Sequence, residues 1–387
     1  MNTIEILFWS CFILTFYTYL GYGLILWLLV QIKEKLGFKN IEPDLGYLPE
    51  VTLVIPSFNE VDFIEEKAKN SLALDYPKSK LRILFITDGS TDGTEKILEK
   101  IDGVEVTHSS IRGGKSAAEN RAIGMVKSEI VVFCDANTRL NEQAIRLMVA
   151  HFADPKVGAV SGEKRIFQDA QQDAAGAGEG LYWRYESTLK RLDARLYSIV
   201  GAAGELIAFR TSLFEPLEHD TILDDFVQSM RICLQGYRVA YEPNAYAMET
   251  ASASVSEELK RKIRIAAGGW QAMSRLGGAL FYLKQPLLSF AYISHRVLRW
   301  SVTPLALLFL IPLNLLLIEQ PFYRVLFAGQ VLFYLLAWKG YLDDSKGIKS
   351  KFFVPYYFFI MNYAVIAGFF RFIKGSQSAK WERAKRA

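Results

Sequence analysis

The sequence predicts an α/β fold, a mostly parallel sheet with covering helices, set between segments apolar enough to cross a membrane. Three observations predict it. Residues 50–250 alternate short β-branched runs with helical patterns. The apolar load, 51% of the 387 residues with 26 Phe and 19 Tyr, gathers at the two ends. Polar motifs recur just past the strand ends, where an open α/β sheet forms its ligand crevice.

The length allows one large domain or two smaller ones. Charge is nearly balanced, 45 basic against 41 acidic residues, which leaves no footprint of a nucleic-acid binder. Cys11, Cys134 and Cys233 lie far apart with no CxxC, which argues against a disulfide framework or a zinc site and fits a reducing compartment.

The first element is an uncharged apolar run, Ile6 to Ile32, closed by Lys33, Lys35 and Lys39. It exceeds the roughly 20 residues needed to cross the hydrocarbon core. It lacks the basic start and small-x-small site of a cleaved signal peptide, so residues 1–35 read as a retained anchor. The basic residues after it place the next domain, residues 48–280, in the cytoplasm.

Within that domain Val51 to Ile55 is a first strand, stopped by Pro56-Ser57-Phe58-Asn59-Glu60, and Asp62 to Leu74 is helical. Leu81 to Thr87 is a second strand, ending in Asp88-Gly-Ser-Thr-Asp-Gly93. Thr94 to Ile101 is helical, Val104 to Thr107 is a third strand, and Gly113-Gly-Lys115 opens a helix to Val126. Ile130 to Cys134 is a fourth strand that delivers Asp135 and Asn137. Oxygen ligands at i and i+2 on a turn suit a hard cation such as Mg2+ or Mn2+, although an isolated pair is equally what an Asx-turn looks like. Asn59, Glu60, Asp88 and Lys115 likewise read singly as caps, turn formers or a solvated lysine. Together, at corresponding edges of one sheet, they make a coherent nucleotide crevice: carboxylates facing base and ribose, a helix start facing phosphate and a metal at Asp135.

Downstream, Val157 to Gly162 reads as a strand, Gln168 to Gly180 as a mobile loop, and Tyr182 to Leu196 as a helix near the membrane face. The small residues of Gly201-Ala-Ala-Gly204-Glu205 allow close approach of another molecule. Asp224 and Asp225 start a helix through Leu234, where the macrodipole favours a carboxylate. Capping explains one of them, and two adjacent acids invite a general-base role. Gly236 to Pro243 reads as an edge strand. The basic run Lys260 to Arg264, leading to Trp270, suits either anionic lipid or a departing diphosphate.

Residues 285–387 return to the membrane. Leu287 to Trp300 reads as an amphipathic helix in the interface, or as an extension of the next span. Segments 301–318 and 322–342 read as a transmembrane hairpin. With a fourth full span at 352–373 the basic tail would lie outside, against the positive-inside rule, so that segment reads as re-entrant or interfacial.

With these residues in view, the chain resembles glycosyltransferase family 2, in its membrane-embedded branch of hyaluronan, chitin and cellulose synthases. The motifs VIPSFNE, TDGSTDGT, GGKSAAENRA, CDANTRL, LDDF and RKIRI occur in the family's order. The resemblance implies a GT-A fold and inverting transfer from a nucleotide-sugar, UDP-linked, to a glycan or lipid-linked acceptor. It implies that Pro56, Asn59, Glu60, Asp88, Lys115 and Asp135 line the donor, with Mg2+ or Mn2+ at Asp135 and Asn137. Asp225, beside Asp224, would be the base. Gly204, Glu205, Arg261, Arg264 and Trp270 would lie on the diphosphate and acceptor side. It implies a multi-pass protein of the cell membrane, in contact with membrane lipids and with partner proteins of a polysaccharide export system. Three departures stand out: Asn137 replaces the second Asp of DxD, Asp224 replaces a Glu, and the synthases' Q-x-x-R-W is Arg261-Lys-Ile-Arg264-Ile265. The last puts processive polymerisation in question. Transfer of a single sugar to a polyprenyl-linked acceptor is the alternative, and a non-catalytic nucleotide- or glycan-binding component is the reading from another class.

Overall fold

The structure, a computed structural model, describes residues 2–38, 40, 42–167, 174–250, 254–346, 348 and 351–379. Among these described residues, eight strands form one sheet in the order β3-β2-β1-β4-β7-β6-β8-β5. They are β1 (Val51–Ser57), β2 (Leu81–Asp88), β3 (Glu105–Ser109), β4 (Ile130–Cys134), β5 (Arg139–Leu140), β6 (Val157–Phe167), β7 (Leu206–Arg210) and β8 (Arg238–Thr250). Strands β1, β2, β3 and β4 are parallel, in register at Val51–Leu81 and Val51–Ile130. Only β7 and β5 run the other way. This is the mostly parallel α/β architecture that the residue pattern predicts.

Strand alternation divides the core. Val54, Leu84, Ile86, Val131 and Phe133 face one layer. Leu53, Ile55, Ile83, Phe85 and Val132 face the other. A parallel sheet covered on both faces needs such doubly apolar strands. The second layer is closed by α2 (Ile64–Leu72) and, after the short α3 (Thr94–Leu98) and α4 (Lys115–Ile123), by α5 (Ala144–Ala150). The first layer carries α7 (Asp224–Leu234) and continues into the membrane-side helices.

Four expectations change here. The strand expected at Gly236 to Pro243 is β8, which reaches Thr250 and lies between β6 and β5 rather than at an edge. Residues 174–180, expected in a mobile loop, open α6 (Ala174–Leu196), while 168–173 lie outside the described residues. Strand β7 directly follows the small residues 201–205, and neither it nor β5 is among the strands that the sequence predicts. The close approach expected at Gly201 is made by the chain itself: an added Cβ there would lie 2.4 Å from Phe226 Cδ2, and φ is +83°. Both features penalise any side chain. Gly201→Ala is therefore expected to cost about 1–3 kcal/mol, read as a lower denaturation midpoint in detergent; an unchanged midpoint would show that Phe226 yields freely.

On the membrane side, α1 (Thr3–Lys35) contains a π-turn at Tyr17–Gly21. The helix α8 (Val255–Arg275) is followed by α9 (Pro286–Trp300), α10 (Val302–Leu316), α11 (Pro321–Ser345) and α12 (Phe353–Ile373). Three of these, α1, α11 and α12, are long and apolar enough to cross a membrane, and α9 with α10 is a fourth if the pair, bent by 51°, is one span. The segment expected to cross at 301–318 is thus a 15-residue helix, about 22 Å long and short of the roughly 30 Å core. α12 is one unbroken helix, so it is not a re-entrant pair. It packs along α8, with Gly368 against Ala266 and Tyr356 and Tyr357 against Val255. The polar side of α9 turns inward to α6 rather than outward to the bilayer interface. His295 is fully buried between Asp193 (2.8 Å) and Glu186 (3.3 Å) of α6, and Arg299 also pairs with Glu186. α9 has its own π-turn, Ile293–Val297, which meets that of α1 through the Tyr17–Ser294 hydroxyl pair at 2.6 Å.

Candidate active site

The parallel strands β1, β2 and β4 end side by side, and their terminal polar residues share one crevice. Pro56, Glu60, Asp88, Lys115, Asp135 and Asn137 all line it. Asn59 holds φ +53°, a left-handed conformation that Asn tolerates, and its side chain accepts from the Thr91 backbone at 2.8 Å. Glu60 is buried, with its backbone N–H donating to Thr94 Oγ1. Asp88 Oδ2 accepts from the Gly113 and Gly114 backbones at 2.9 and 2.7 Å, and Arg121 lies 3.3 Å from Oδ1. Asp88 thus latches the glycine turn in place and so aims the head of α4. Arg112 stacks over Phe58 at the mouth.

The head of α4 delivers Lys115 to the centre. Its Nζ lies 2.8 Å from Asp135 Oδ1, 3.2 Å from the Gly204 carbonyl, 3.5 Å from Asp224 Oδ2 and 4.0 Å from Glu119. Burial opposes its charge, but Asp135, Asp224 and Glu119 overcome that and hold its pKa well above the ordinary value. Burial and the Asp224 charge push Glu119 well above the usual carboxylate range. Burial likewise raises Asp135, against the pull of Lys115. Asp135 keeps 26% of its side chain exposed to the crevice. Among the described residues no three His, Cys, Asp or Glu side chains are placed to hold a metal ion between them. One carboxylate and one amide oxygen remain, which fits Mg2+ or Mn2+, ions that commonly take one or two carboxylates and fill their shell with water and substrate phosphate.

Asp225, one residue into α7, is held by its own helix: Oδ1 accepts from the Phe226 backbone at 2.7 Å. Burial, then the neighbouring Asp224, raise it to about 7. A Cβ on Gly204 would sit 3.0 Å from Asp225 Oδ2, so that glycine is what gives the carboxylate room. Glu205 bonds Lys164 at 2.9 Å and Arg261 at 3.4 Å. These cations overcome its burial and hold it well below the carboxylate range. Arg264 is near enough to Asp224 and Asp225 to feel both, while burial lowers its pKa.

Asp225 opens onto a second, larger cavity between the sheet domain and the membrane-side helices. Arg261 and Glu205 line it, with Trp183, Arg296, Trp300 and Phe358. Trp270 does not. It packs against Phe369 of α12, centroids 4.6 Å apart, so its expected place on the acceptor side is corrected. Sequence reasoning missed Glu119 and Lys164. Glu119 carried a signal, its i,i+4 spacing from Lys115; Lys164, buried between Glu205 and Glu249, carried none. Trp183, Arg296 and Trp300 lie on the two helices that the sequence places at the membrane face.

Residues 52–217 match the family described as Glycosyl transferase family 2. Over 249 residues the chain is 30% identical to poly-beta-1,6-N-acetyl-D-glucosamine synthase of Staphylococcus aureus (strain MSSA476), a match covering 61% of this chain and 59% of that protein. The Staphylococcus epidermidis synthase of the same name is 25% identical over 256 residues, 63% of this chain and 61% of that one. The matched stretch therefore spans under two thirds of these relatives. A solved mannosyltransferase from Pyrobaculum calidifontis, in complex with GDP-Man and Mn2+, superposes with a TM-score of 0.74 at 23% identity, over 96% of this chain and 99% of that one. That likeness establishes the fold.

Proposed function

We propose that this chain, whose residues 52–217 are a glycosyltransferase family 2 domain, is a membrane-bound enzyme that moves a sugar from a nucleotide-sugar to an acceptor hydroxyl with inversion at the anomeric carbon. The observation that carries the reading is the place of Asp225, a half-buried carboxylate that lines the large cavity and is raised to about 7, while its neighbour Asp224 reaches Lys115 of the polar crevice. A general base works best with its pKa near the operating pH. Inversion needs one base on the side opposite the leaving group, and the second cavity supplies that side.

The nucleoside lies against Pro56, Asn59, Glu60 and Asp88, and the diphosphate lies toward Lys115. The acceptor oxygen attacks the anomeric carbon as the sugar–phosphate bond breaks. The hydroxyl proton passes to Asp225, and the electron pair leaves with the nucleoside diphosphate. Lys115 and Arg264, with Arg261 behind them, face the charge that develops there. Asp135 and Asn137 would hold a divalent cation, which would supply further positive charge to the same diphosphate. Asp224 positions Lys115 and, as a like charge, raises the base.

A nucleotide-release assay on the detergent-purified chain tests this, with UDP- and GDP-sugars, Mg2+ or Mn2+, and with or without membrane lipid extract. Release from a UDP-sugar is expected; release from GDP-sugars alone would change the donor. Nucleotide binding without release under any condition would restore the non-catalytic reading. The rate should rise with pH through about 7 as Asp225 loses its proton. In Asp224→Asn that limb should move to lower pH, because the like charge is gone. A flat profile in both proteins would remove Asp225 from the role of base.

A further inference from the structure

We propose that the apolar groove between α1, α10, α11 and α12 holds the hydrocarbon tail of the sugar acceptor, an anionic-headed lipid whose hydroxyl is presented to Asp225. The inference rests on the transfer reading above and names the acceptor class for it.

Continuity is the first observation. Phe358 and Asn362 line both the cavity that contains Asp225 and the groove among the membrane-side helices. The two spaces therefore share one turn of α12 as a wall. A lipid whose tail lies in the groove has only that turn, with its Tyr19–Asn362 hydrogen bond, between its chain and the cavity that holds Asp225.

The lining chemistry is the second. The groove is walled by residues such as Phe12, Leu308, Val325 and Ile366. Its amide and threonine groups are already engaged within the protein: Thr15 with the Cys11 carbonyl, Gln330 with Asn314, and Asn362 with Tyr19 and the Phe358 carbonyl. A glycan carries several hydroxyls per ring, and each one stripped of water without a partner is costly. A hydrocarbon chain asks for none. At Gly329 of α11 an added Cβ would meet nothing within 4 Å, so the groove is open where a chain would pass. Tail entry from a bilayer exchanges one hydrocarbon contact for another, so the groove selects by shape.

Charge is the third. Lys190, Arg261, Lys262, Arg296 and Arg299 line the inner cavity against the carboxylates Glu186, Glu205 and Asp225. The cationic excess sits among aromatic walls, where an anionic headgroup complements it. The head's hydroxyl then attacks the donor as described, giving up its proton to Asp225.

The test supplies the full chain in detergent with labelled donor and membrane lipid separated by anion exchange into acidic and neutral fractions. Label is expected in an organic-soluble product formed with the acidic fraction. Gly329→Phe, which fills the groove, should lower that transfer at least tenfold while donor hydrolysis by water persists; Leu308→Trp, from the facing helix, should do the same should the first variant lose hydrolysis. Label in long water-soluble chains, transfer from the neutral fraction alone, or full lipid transfer in a groove-filled variant would overturn the proposal. Absence of nucleotide release in every arm, hydrolysis included, would instead overturn the transfer reading on which it stands.

Discussion

Asp225→Asn is expected to lower sugar transfer by about 10²–10⁴-fold, the range that a positioned general base contributes, with nucleotide-sugar affinity nearly unchanged. Asn is isosteric, and its amide oxygen still accepts from the Phe226 backbone, as Oδ1 of Asp225 does at 2.7 Å. The start of α7 should therefore keep its shape. What is lost is the lone pair that receives the acceptor proton. The donor groups lie across the crevice on β1, β2 and α4, so donor binding measures a different set of contacts. Single-turnover transfer and donor titration on the same preparation separate the two. Wild-type turnover in this variant would move the base elsewhere, and Glu119 is too deeply buried to take the role. Asp224→Asn should cost less, because Lys115 retains Asp135 at 2.8 Å.

How much of this was legible beforehand follows from the range of each interaction. Strands β1, β2 and β4 declare themselves by apolar runs that stop at Pro56, Asp88 and Asp135, so the polar ends could be placed on one side of a sheet before any contact was known. Strand β7 was hidden because Leu206–Arg210 follows a run of small residues and pairs antiparallel to β4, over 70 positions earlier in the chain, through contacts such as Ile130–Arg210. The sequence places the basic residues of α9 at the membrane interface for the same reason. Their carboxylate partners on α6 lie 102 to 113 residues away, and periodicity reports which residues share a face without saying what that face meets. Gly201 shows the limit most directly. The sequence announces that something approaches closely there, and only the fold says that it is Phe226, the neighbour of the base.

Asp135→Ala should abolish the dependence of donor affinity on Mn2+ and lower kcat/KM by about 10²–10³-fold, the scale of losing one charge-stabilising group. The variant should still fold, because Lys115 keeps Asp224 at 3.5 Å and the Gly204 carbonyl at 3.2 Å, so its buried charge remains partnered. Lys115→Gln provides the contrast. It removes a fixed cation from the diphosphate and leaves the oxygens of Asp135 and Asn137 for a metal, so affinity should fall at every Mn2+ concentration while the response to Mn2+ persists. Titrating donor with and without Mn2+ in the two variants therefore separates the protein's own cation from the ion. An undiminished Mn2+ response in Asp135→Ala would move the metal away from the end of β4. Loss of that response in Lys115→Gln alone would mean that the lysine organises the site through Asp135, with direct contact to phosphate secondary.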